Sequence, residues 1–153
     1  MISKKGNKFN CCESVLLRIN KENPLPDFNS STMRIASNFG GGLAGWGSAC
    51  GAVSGATMAI GLLFGTEGWE TPEAYESKRE LQRSFTQEFL KAFEEEWGTI
   101  KCLDLLGVDF RTPEGKEIYE LMKLREETHC PDYVIWSAEK VLRMISTRAQ
   151  KEI

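Results

Sequence analysis

The chain has 153 residues, 41% of them hydrophobic and 27% charged, with a formal net charge of −3. That balance suits one globular domain with a continuous core and excludes a disordered chain. A mildly acidic chain has no basic field to hold a phosphate backbone, which argues against nucleic acid as a partner.

Lys4, Lys5 and Lys8 lie in a polar stretch at 1–9, read as a flexible lead-in. Gly6, Asn7 and Phe9 stand where a secretory signal would place an apolar core, so the expected compartment is a reducing cytoplasm. The first predicted helix starts from Asn10 as N-cap. Glu13 stands at the capping-box spacing, and Val15, Leu16 and Ile19 share one face. Pro24 and Pro26 interrupt it. Asn29, Ser30 and Ser31 offer caps for a short helix through Met33, Ile35 and Ala36, which the glycines at 40–42 end.

From Gly45 to Gly65 the chain is unusually rich in small residues. Read as one buried helix, it places Gly47, Gly51 and Gly55 on a single stripe, since they are four apart. Each helical glycine costs roughly 0.5–1 kcal/mol relative to alanine, so close approach by another helix or a ligand must offset that. A membrane span with a G-x-x-x-G face is the rival reading. The serine and glycine content and the lack of basic flanks speak against it.

Thr71, Pro72 and Glu73 open a long helix. Leu81, Phe85, Phe89, Phe93 and Trp97 recur at four-residue intervals as a core stripe, and Gly98 ends it. Glu94, Glu95 and Glu96 read as a solvated face. Thr99 begins a short helix, as its cap, that runs through Cys102, Leu103, Leu105 and Leu106 and is ended by Gly107. Thr112, Pro113 and Glu114 start a polar helix with Ile118, Leu121 and Met122. Cys130, Pro131 and Asp132 open the last, whose inner face is Val134, Ala138, Val141, Leu142 and Ile145. No segment alternates with period two over strand length. The expected fold is an all-α single-domain bundle of about five to seven helices, with a core domain at 10–147 and a tail at 148–153.

Five cysteines in such a chain, with no C-x-x-C pair, suggest a site assembled by the fold rather than by a local motif. Cys11, Cys102 and Cys130 fall at predicted helix starts, where unpaired amides and the helix dipole favour a thiolate. Cys50 lies in the glycine-rich helix, where missing side chains leave room for its sulfur. The bland alternative is that they are buried small apolar groups. Cys12 points about 100° from Cys11 on a helix and so away from a shared site. His129 beside Cys130 reads as a solvated residue more readily than as a ligand.

The runs Asn10-Cys11-Cys12-Glu13-Ser14-Val15-Leu16, Ala36-Ser37-Asn38-Phe39-Gly40-Gly41-Gly42, Cys50-Gly51-Ala52-Val53-Ser54-Gly55-Ala56 and Cys102-Leu103-Asp104-Leu105-Leu106-Gly107, with Cys130 before an amphipathic helix, resemble the C_GCAxxG_C_C family. These are small redox-active proteins named for four spaced cysteines. The glycine box departs from the literal Gly-Cys-Ala-x-x-Gly, and Cys12 stands where alanine or serine is expected. The resemblance implies that Cys11, Cys50, Cys102 and Cys130 are the functional thiols. They would be ligands of an iron–sulfur cluster, as in a related domain of a multihaem cytochrome, or of zinc, with Gly51 and Gly55 giving close approach. Alternatively the same four thiols carry metal-free thiol–disulfide chemistry. A third reading is a helical interaction protein with structural cysteines. An electron-exchange partner protein is implied without being named, no membrane is expected, and the glycine stripe permits a homodimer.

Overall fold

The computed structural model describes Gly6 and residues 8–151; Lys4 and Lys5 of the lead-in lie outside the described residues. Among the described residues seven α-helices follow one another: α1 (Cys11–Glu22), α2 (Ser30–Ala36), α3 (Gly51–Phe64), α4 (Pro72–Trp97), α5 (Cys102–Leu106), α6 (Pro113–Leu124) and α7 (Cys130–Lys151). A 3-10 turn at Ser37–Phe39 extends α2 towards the glycine cluster. Among the described residues there is no strand, and the fold is an all-α single-domain bundle.

Helix α1 begins as its sequence dictates. The Asn10 side chain accepts the Glu13 amide at 2.9 Å, and the Asn10 amide donates to the Glu13 carboxylate at 2.7 Å. Its apolar face, Val15, Leu16 and Ile19, is fully buried. Packing of α1 against both α3 and α7, and of α3 against α4, builds the core. Four of the five stripe residues on α4 belong to that core: Phe89 and Phe93 are fully buried, Phe85 and Trp97 pack against it, and Leu81 lies outside it. The stripe meets α7 through edge-on aromatic contacts, Phe93 with Trp136 at 5.5 Å and Trp97 with Tyr133 at 4.9 Å between ring centres. Such pairs contribute about 0.5–1.5 kcal/mol each beyond the area they bury. Glu94, Glu95 and Glu96 are exposed.

The glycine-rich segment differs from its expected form. Only Gly51–Phe64 is helical. Gly45 and Gly47 have φ of +76° and +79°, a left-handed backbone that no α-helix contains, so Gly47 does not share a stripe with Gly51 and Gly55. Loop 40–49 is held instead by its own backbone bonds, Gly47 to Gly41 at 3.0 Å and Ser48 to Gly42 at 2.9 Å. Gly51 and Gly55 do offset their helical cost by close approach. A Cβ on Gly55 would stand 2.6 Å from the Cys12 carbonyl oxygen, so α1 and α3 cross almost backbone to backbone there. Helix α7 continues past 147 to Lys151.

Candidate functional site

Four helix starts bring their cysteines to the wall of one cavity. Cys11 is the first residue of α1, Cys102 of α5 and Cys130 of α7. Cys50 is the N-cap of α3 rather than a residue inside a helix. Together they line one small, largely apolar cavity of about 30 Å³, with Gly41, Leu105, Leu106, Tyr119 and Tyr133 completing the wall. Cys50 and Cys102 are buried, whereas Cys11 and Cys130 are half-buried, and all five cysteines of the chain are free thiols.

Two of these thiols are registered by a single antiparallel bridge between Ala49 and Lys101. The Cys50 amide donates to the Ile100 carbonyl at 2.7 Å, and the Cys102 amide donates to the Ser48 carbonyl at 2.7 Å. The starts of α3 and α5 are thus tied side by side. Gly42 makes this possible: it has φ +68°, and a Cβ there would lie 2.7 Å from both the Cys102 Cβ and the Ser48 nitrogen. Cys11 is positioned from the other side, because a Cβ on Gly51 would overlap its Sγ. Tyr133 donates to the Leu105 carbonyl at 3.3 Å and ties α7 to α5 across the cavity.

The electrostatics reverse one sequence expectation. Helix amides were expected to favour thiolates, and the Ala52 and Val53 amides do act on Cys50 in that direction. Burial outweighs them: it pushes Cys50 up from 9.0 to about 12, aided by the neighbouring Cys11 thiol. Burial, then Cys50, Cys11 and Cys130, push Cys102 up to about 12. Burial, then Cys11, push Cys130 up to about 11, opposed by a hydrogen bond from the Thr128 side chain and by Lys123. Burial and the adjoining thiols also raise the Tyr119 phenol. Burial thus favours the thiol form of Cys50, Cys102 and Cys130. The cause is general: gathering several incipient negative charges in an apolar space disfavours them all unless a cation is present.

Thr99 does not cap α5. Its hydroxyl accepts the Lys101 amide at 3.1 Å, while Lys101 itself is the N-cap and supplies no side-chain cap. Cys12 is fully buried away from the cavity, with its Sγ 3.6 Å from the Met58 sulfur. His129 is not in the cavity wall; its Nδ1 lies 3.0 Å from an Asp132 carboxylate oxygen on the surface. Tyr133 and Gly41 were legible in principle, three residues after Cys130 and inside the glycine run, but Tyr119 carries no local signal.

In number and type the thiols fit a four-cysteine cluster or a structural zinc. As they stand they line a cavity without closing on a point: among the described residues, no three His, Cys, Asp or Glu form a group that could hold a metal ion. No described helix is long and apolar enough to cross a membrane.

Fold and site together define an all-α protein whose cavity is walled by thiols. A family profile described as "Putative redox-active protein (C_GCAxxG_C_C)" matches residues 9–144, and the chain belongs to that family. No match was found among curated proteins or solved structures.

Proposed function

We propose that Cys11, Cys50, Cys102 and Cys130 act as one redox site whose filled state is an iron–sulfur cluster used for electron transfer or sensing. The observation that carries this reading is the convergence of four thiols, from four separate helix starts, on one apolar cavity. The raised thiol pKa values give this reading a pH dependence: a cationic centre would offset the repulsion among thiolates, and binding it would release the thiol protons. When bound, a cluster supplies one-electron chemistry. The chain supplies four thiolates, an apolar wall that excludes water, and helix amides directed at Cys50. Family membership supports redox activity without choosing the cofactor.

A metal-free thiol–disulfide function is the second reading, favoured by one feature: Cys11 and Cys130 are half-buried while Cys50 and Cys102 are buried, which gives an outer and an inner pair. Anaerobic purification, a visible spectrum, and assays of iron, sulfide and zinc separate the two. The expected result is a coloured protein with iron and acid-labile sulfide in comparable amounts, both lost in Cys50→Ser. Zinc alone would replace the cluster with a structural ion. A colourless, metal-free protein with a reversible disulfide would support the second reading. A colourless, metal-free protein whose Cys50→Ser variant matches the parent in thiol titration and redox assays would overturn both.

A further inference from the structure

Cys11 and Cys130 face two spaces. Besides the inner cavity they line a surface groove of about 240 Å³ between α1, α6 and α7, which neither Cys50 nor Cys102 reaches. Arg18 and Lys123 supply positive charge to that groove, and no aspartate or glutamate belongs to its wall. Lys123 shares its charge with Glu120 at 2.6 Å and lies over the Tyr119 ring at 4.8 Å. Arg18 is exposed and makes no ion pair among the described residues, so it is the cation left for a ligand. Phe9, Pro131 and Val134 provide apolar contact alongside.

From this arrangement we infer that the groove binds a small anionic thiol or its disulfide, a carboxylate-bearing molecule of peptide size, and that Cys11 and Cys130 are the pair that exchanges with it. This rests on the reading of the four cysteines as one thiol site. The step balances simply. A thiolate from the outer pair attacks one sulfur of the disulfide R–S–S–R, a protein–S–S–R bond forms, and the R–S–S–R bond breaks. The proton given up by the cysteine goes to the departing thiolate as RSH, so the cysteine sulfur is oxidised from thiol to disulfide level while one R sulfur is reduced from disulfide to thiol level. The Arg18 charge attracts the carboxylates and so acts on encounter rather than on the sulfur chemistry.

The test uses the full, metal-free chain with glutathione disulfide as the anionic probe and hydroxyethyl disulfide as the neutral one. Adducts are located by mass spectrometry over time. Expected are mixed disulfides at Cys11 or Cys130 before any at Cys50, Cys102 or Cys12. Arg18→Glu should slow the anionic probe by about three- to tenfold at low ionic strength while leaving the neutral probe unchanged. Equal labelling of inner and outer thiols, or an Arg18→Glu effect of the same size on both probes, overturns the inference. Iron and sulfide uptake by the same preparations reads the cluster separately. Selective outer labelling without cluster uptake removes the cluster and keeps the groove. Cluster uptake with unselective labelling removes the groove alone.

Discussion

Gly51 and Cys11 are in contact across the crossing of α1 and α3: a methyl on Gly51 would overlap the Cys11 Sγ and come within 2.8 Å of the Phe39 carbonyl oxygen. The glycine therefore fixes where the sulfur lies. Gly51→Ala should destabilise the protein by about 1–3 kcal/mol, the usual cost of overpacking. It should also displace Cys11 and lower iron uptake. Gly61→Ala is the internal control, because its Cβ meets only the Gln82 Nε2 at 3.8 Å. That substitution should leave iron content alone and stabilise α3 by about 0.5–1 kcal/mol. Urea midpoints and iron assays on both variants measure the contrast. Equal behaviour of the two would show that Gly51 has no special bearing on the thiol.

Alkaline pH should weaken the metal-free protein. The folded thiols of Cys50 and Cys102 lie at about 12 and that of Cys130 at about 11, all above the ordinary 9.0. Between the two values the folded chain binds more protons than the unfolded one, so stability falls as pH rises. The contribution is complete below pH 9 and is lost progressively towards pH 12. Melting temperatures from pH 8 to pH 11 should decline for the parent and decline less steeply for a Cys50→Ser, Cys102→Ser double variant. Parallel slopes would mean that these thiols do not carry the effect.

Cys12 and Cys50 separate packing from chemistry. Both are buried, yet Cys12 packs in the core against Met58 while Cys50 lines the cavity. Cys12→Ala should cost roughly 1 kcal/mol, at the low end for deleting one buried heavy atom, and keep the full iron content. Cys50→Ser should lose the iron at a comparable stability. Loss of iron in Cys12→Ala would make Cys12 a member of the site.

What could be read from the sequence was local. Caps at Asn10, Thr71 and Thr112 and the apolar periodicity of α4 and α7 encode their helices directly, because each depends on residues within a turn or two. Small residues from Gly45 to Gly65 look uniformly helical, which on composition alone puts Cys50 inside a helix. The left-handed conformations of Gly45 and Gly47 are enforced by bonds to Gly40 and Gly41, and composition does not register such bonds. The expected cap at Thr99 fails for a related reason. The start of α5 is set by the Ala49–Lys101 bridge, a pairing across half a hundred positions, and not by a nearby side chain. The direction of the thiol pKa shifts is not legible in the sequence, because a helix start is a local feature, whereas burial among other thiols is a property of the assembled cavity.

Ser137 offers a test of the core beneath the site. Its hydroxyl is fully buried on α7 and has no hydrogen-bond partner among the described residues. A buried hydroxyl without a partner forfeits its hydration and gains nothing back. Ser137→Ala should therefore be neutral or stabilising by up to about 1 kcal/mol, with redox behaviour unchanged. A loss of more than that amount, read from the urea midpoint, would mean that the hydroxyl is satisfied in solution.

Asn10 joins the capping of α1 to the loop that carries Gly41. Besides its box with Glu13, its side-chain amide donates to the Ser37 carbonyl at 3.0 Å and, more weakly, to the Ala36 carbonyl at 3.4 Å. Gly40 packs so closely that an added Cβ would stand 2.8 Å from the Asn10 Cβ. Asn10→Ala removes both functions and should cost about 1–2 kcal/mol, near the upper range for a lost N-cap. Asn10→Asp keeps the acceptor for the Glu13 amide but loses the donor to Ser37, so its cost separates cap from tether. With the tether gone, the loop has less hold on the first turn of α1, and Cys11 should react faster with an alkylating agent in both variants. Faster alkylation in Asn10→Ala alone would assign control of Cys11 to the helix cap. An unchanged rate in both would mean that Gly51 and the α3 backbone hold the sulfur without help from Asn10.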